Sequence, residues 1–175
     1  MADWVTGVIA GVSGIAGGAA TQWFTLIKES RVSKKARFRD VQYIGVHLIL
    51  RLTEFSDHCQ RISEDEGEEY FDSRNGQTNL VVSVSFEPFI LDDIQGKWDV
   101  LPAELLFRIR ELSLVHVKIQ ALLSEFYQFH FDPPDHAEYF GYRQAVFRKQ
   151  TRRVEKMIEQ LRLLCQLPKY HDIND

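Results

Sequence analysis

The stretch Trp4–Ile27, WVTGVIAGVSGIAGGAATQWFTLI, contains no ionisable side chain and is bounded by Asp3 and Lys28. A helix that crosses the ~30 Å hydrocarbon core of a bilayer needs ~20 predominantly apolar residues. The stretch is long enough, so it predicts a membrane-spanning helix over residues 1–27, with the remainder of the chain held at a membrane surface. Trp4 and Trp23 are 19 residues apart, roughly 28 Å along a helix, which suits one indole at each interface. Gly7, Gly11, Gly14 and Gly18, continued by Thr21 and Thr25, lie on one helical face. Small residues let helix backbones approach closely, and this face predicts self-association.

Two other readings of the same residues fail on context. The glycines resemble a dinucleotide-binding loop, but that loop needs a strand before it and an acidic residue ~20 positions on. Six residues precede Gly7, and Lys28 and Arg31 stand where the acid belongs. A cleaved signal peptide opens with a basic segment and has a shorter apolar core. Here the basic residues follow the run: Lys28, Arg31, Lys34, Lys35, Arg37 and Arg39 form a flank over 28–40. By the positive-inside rule the flank stays cytoplasmic, which predicts a single-pass protein of the inner membrane with its N-terminus outside. The same cations can meet anionic headgroups.

Residues 41–168 are enough for one domain with a real core. The formal charge of −4 argues against a dedicated nucleic-acid binder. Cys59 and Cys165 make neither a disulfide framework nor a CxxC site, and core packing is their expected role.

Val41, Ile44, Leu48, Leu52, Phe55, Cys59 and Ile62 recur in steps of three and four, the mark of an amphipathic helix. Residues 64–100 form an irregular insertion. The acidic part, 64–79, is read as a surface loop, and Leu80, Val82, Val84 and Phe86 alternate like a strand that has no evident partner. A second helix begins near Pro102 with the seam Leu105, Ile109, Leu112, His116, Ile119, Leu123 and Phe126. Leu106, Val115 and Leu122 widen its apolar face, so it is expected to be packed on two sides. The third helix runs from about Pro134 to Leu167 on Phe140, Phe147, Val154, Leu161 and Cys165, and residues 169–175 are a polar tail. The expected fold is all-α: one transmembrane helix followed by a cytosolic antiparallel bundle of three long helices.

Residues that could carry chemistry are few. Asp57, His58 and Cys59 are adjacent on a helix and fan apart. His130, Asp132, Asp135 and His136 surround a turn, where the acids serve more simply as helix caps than as metal ligands. His116 reads as a hydrogen-bonded core histidine. No nucleophile has an activating context, so neither catalytic residues nor a cofactor are expected. The basic cluster Arg148, Lys149, Arg152 and Arg153, with Arg143 and Lys156 nearby, is a candidate patch for an anionic partner. Tyr139, Tyr142 and Arg143 are a candidate binding edge.

The plan is similar to that of many small bacterial membrane proteins, though no motif fixes a lineage. The reading is a non-enzymatic, membrane-anchored interaction or scaffold module. Its expected partners are the lipid bilayer, further copies of itself and a cytosolic protein. A pore-forming or holin-like effector is the alternative.

Overall fold

The computed structural model describes the backbone of residues 3–74, 76–130 and 133–168, and side chains from residue 32 onward. The chain divides into two compact units, 1–40 and 41–175. Helix α1 is Asp3–Ser63, β1 is Glu68–Asp72, β2 is Gln77–Val81, α2 is Ala103–Phe129 and α3 is Ala137–Cys165.

The membrane expectation is corrected here. Among the described residues no helix is long and apolar enough to cross a membrane. The transmembrane anchor, the single-pass inner-membrane placement and the outward N-terminus are therefore unsupported. An uncharged run is not the same as an apolar one. Ten of the 24 residues from Trp4 to Ile27 are Gly, Thr, Ser or Gln, which add little favourable transfer free energy. The side chains of Trp4, Trp23, Gly7, Gly11, Gly14, Gly18, Lys28 and Arg31 lie outside the described residues. Lys34 and Lys35 are described, and both are exposed on α1.

In the unit from residue 41 onward, the helical face read from the sequence is the buried one. Val41, Ile44, Leu48, Leu52, Phe55, Cys59 and Ile62 all lie in the core. Leu105, Ile109, Leu112, Val115 and Ile119 join them from α2, and Phe147, Val154, Met157 and Leu161 from α3. Helix α3 runs antiparallel to the end of α1. At one end Arg143 meets Asp65, and at the other Cys165 Sγ donates to the Val41 carbonyl at 3.5 Å. Gly45 permits that approach, because an added Cβ there would lie 2.1 Å from Cys165 Sγ. Helix α3 ends on Gln166 in the left-handed region (φ 54°), with the Leu167 amide reaching back to the Arg162 carbonyl at 3.0 Å.

Two features depart from a three-helix bundle. First, the stretch 64–79 is not a loop: β1 and β2 form an antiparallel hairpin with Glu68 opposite Val81 and Asp72 opposite Gln77. Second, residues 82–100 form a strap that runs back along α1. The Glu87 amide reaches His58 Nε2 at 3.3 Å, Asp93 pairs with Arg51, and Gly96 lies against Ile44. Phe86 of the strap packs on Phe55, His116 and Phe147, so an extended segment fills the place of a fourth rod. Its continuous apolar spacing lets it do so without a partner strand.

Helix α2 is buried on one side only. Phe107, Leu114 and Val117 are 67%, 60% and 65% exposed. Of the residues that widen the expected face, Val115 is buried and Leu106 packs against the core, whereas Leu122 is exposed, and Phe107, Leu114 and Val117 have no cover among the described residues.

A candidate binding groove under the hairpin

The site is built around one carboxylate. Asp65 follows the end of α1, and its side chain is fully buried. Its Oδ1 accepts from the Gly67 amide at 3.0 Å and from the Ser83 hydroxyl. Its Oδ2 accepts from the Val84 amide at 3.1 Å and from Arg143 Nη1 at 2.7 Å. Each carboxylate oxygen therefore takes two donors, which fills its acceptor capacity. Burial pushes the Asp65 carboxyl up, but the bonds from Ser83, Val84, Gly67 and Arg143 together outweigh it and hold the group below its ordinary value. Arg143, 3% exposed, also donates to the Val84 carbonyl and lies over the Phe147 ring at 5.7 Å. Gln144 Nε2 donates to the Asp65 carbonyl at 3.0 Å. The strand entrance, the strand exit and the start of α3 are thus fastened at one point.

That fastening holds the hairpin over the α2–α3 corner. The Leu80 amide donates to the Pro134 carbonyl at 3.0 Å, which closes the outer edge of β2 onto the turn. Between hairpin and helices lies a groove of about 1150 Å³. One hairpin face lines it with Tyr70, Asp72, Gln77, Asn79 and Val81. The last turns of α2 supply Gln120, Leu123, Ser124, Tyr127 and Gln128 at one-face spacing. Tyr139, Phe140 and Arg143 form the α3 wall. Tyr127 and Tyr139 meet edge to face with centroids 5.4 Å apart. Burial raises the Tyr139 hydroxyl pKa above its usual value, against the pull of the Arg143 charge, so it is a hydrogen-bonding group rather than a base.

The expected site residues are not brought together. Arg153 is withdrawn from the basic cluster by an ion pair with Glu111, which also accepts from Lys118 at 3.4 Å. Arg148, Lys149 and Arg152 stand exposed on α3. Tyr139 and Arg143 face the groove, whereas Tyr142 stacks on Phe126 at 4.2 Å. His130 turns to Glu138 at 3.0 Å, and no group of three metal-ligating side chains occurs among the described residues. His116 is half-buried against Phe86, and its Nδ1 finds no hydrogen-bond partner among the described residues, contrary to the expected bonded histidine. Cys59 and Cys165 are buried, and burial pushes the Cys59 thiol up to about 12, which makes it a poor nucleophile.

Asp65 was hidden in the acidic run 64–69. The signal that finds it is Arg143, which falls between Phe140 and Phe147 on the core face of α3. A cation there requires a buried anion. Compared with known proteins, the chain matches no protein-family model, no curated protein and no solved structure.

Proposed function

We propose that the chain is a non-enzymatic interaction module whose groove receives an extended, uncharged or weakly basic segment of a partner protein. The observation that carries this reading is the composition of the walls. Amide and hydroxyl side chains alternate with aromatic rings, and the buried Arg143 is already neutralised by Asp65. A carboxamide offers one donor and one acceptor group, the complement of a peptide unit, and Tyr rings supply rigid contact area at low entropic cost. Phosphorylated or nucleotide ligands would find no uncommitted Lys or Arg among the described wall residues, and Asp72 in the lining favours positive charge. Catalysis has little to work with, because Arg143 is committed and the Tyr139 hydroxyl is held protonated.

The reading as a pore-forming effector depended on a spanning helix and finds no support among the described residues. The test uses a displayed library of random seven-residue peptides with the full chain as bait. Enriched peptides should bind the wild type and lose at least tenfold, ~1.4 kcal/mol, with Tyr127→Ala or Asn79→Ala. Absence of enrichment, binding indifferent to both changes, or selective binding of a glycan panel instead would overturn the proposal.

A further inference from the structure

We infer that the open face of α2 pairs with the same face of a second copy of this chain in an antiparallel coiled coil. The exposed residues Ala103, Phe107, Arg110, Leu114, Val117, Ala121 and Ser124 follow heptad spacing. All but Ser124, which also borders the groove, lie opposite the buried face of Leu105, Ile109, Leu112 and Ile119. A helix that fills the core with one side and repeats an apolar seam on the other has a second surface to cover.

The seam specifies its own complement. About a centre between Leu114 and Val117, an antiparallel copy sets Phe107 against Ser124, Arg110 against Ala121 and Leu114 against Val117. Each layer then joins a larger side chain to a smaller one, so the volume per layer stays even along the helix. A parallel copy would set Phe107 on Phe107, leave a gap at Ala121 and Ser124, and place Arg110 against Arg110. Arg110 already lies back over the Trp98 ring at 5.1 Å, which keeps its charge off the seam. On the flanks Glu111 and Lys118 are already paired within each chain, and the antiparallel register sets Glu104 near Glu125 of the second copy at the exposed ends. Those like charges stand in solvent, where salt screens them, so the match of shapes decides the register. The 27 residues of α2 make a seam ~40 Å long. Two such strips sit near the lower end of specific interfaces, which fits a reversible dimer.

Sedimentation velocity of the full chain over a concentration series should show a reversible dimer. Leu114→Glu with Val117→Glu should return it to one chain at every concentration, and Leu163→Glu, an equally exposed change on α3, should not. A monomer in the wild type, or a dimer that survives the double change, overturns the inference. Cysteine cross-linking reads the register without disturbing the apolar centre, since both native thiols are buried. Arg110→Cys with Ala121→Cys should cross-link two chains, while Ala121→Cys alone, ~16 Å from its mate, should not. Cross-linking by Ala121→Cys alone, or by neither variant, refutes the antiparallel pair.

Discussion

Asp65 and Arg143 form an ion pair with almost no access to water, and the cost of removing one partner differs from that of removing both. Asp65→Asn leaves the guanidinium buried without its anion, for an expected loss of ~3–5 kcal/mol. Asp65→Leu combined with Arg143→Met removes the stranded charge and should recover a large part of that loss. Urea denaturation of the two variants checks the difference. A loss below ~1 kcal/mol for Asp65→Asn would show that the pair is wet in solution. The sequence does carry this pair, though in two pieces: a lone Arg on an apolar face of α3, and an acid run that resembles a solvated loop. Spacing on a single helix places Arg143 inward, but nothing in one dimension says which of Glu64, Asp65, Glu66, Glu68 and Glu69 meets it.

Among the elements, the helices were legible and the hairpin was not. Periods of three and four persist for six or more turns, so the inward faces of α1 and α3 could be read directly. The strand pattern read from Leu80, Val82, Val84 and Phe86 meets the observed β2, Gln77–Val81, only at Leu80. Its partner, Glu68–Asp72, is acidic and exposed along nearly its whole length, so it lacks the apolar alternation that marks a half-buried strand. The acids still serve the strand, since charge on an open edge discourages pairing with another chain. Tyr70 and Phe71, followed by Asn75-Gly76, were the available hints. Gly67 admits the chain to the hairpin: its φ is +86°, and an added Cβ would meet Phe140 Cζ at 2.6 Å. Gly67→Ala should therefore cost ~1–3 kcal/mol beyond Gly76→Ala, whose φ of +70° imposes a similar backbone penalty with no neighbour to strike. Equal losses for the two variants in chemical denaturation would remove the steric part of the argument.

For the whole molecule, acid is the informative perturbation. The Asp65 carboxyl titrates below its ordinary value of 3.8 in the folded state, and the Glu111 carboxyl below 4.5 through its bonds from Arg153 and Lys118. A carboxyl whose folded value is depressed binds protons more readily when unfolded. Its contribution is complete above the unfolded value and is lost as pH falls through the folded one. The melting temperature should hold steady above these ordinary values and decline below about 4. Asp65→Asn, less stable throughout, should decline less steeply. A decline as steep in that variant would move the acid sensitivity to other groups. The largest misreading belonged to this scale as well. A run without charges invites a membrane assignment, and no helix among the described residues is long and apolar enough to bear it out.

The bond from Arg143 to Asp65 joins residues 78 positions apart. A two-stranded ribbon is marginal in water by itself, so this one has no independent reason to form early. Closing so long a stretch of chain costs entropy, and the gain arrives only once α3 has docked. The expected order of assembly follows: α2 and α3 come together first, and the ribbon settles last over a corner already built. On opening, the same dependence runs backward. A partial release that frees the Asp65 carboxylate would uncover the aromatic corner while the helices stay joined.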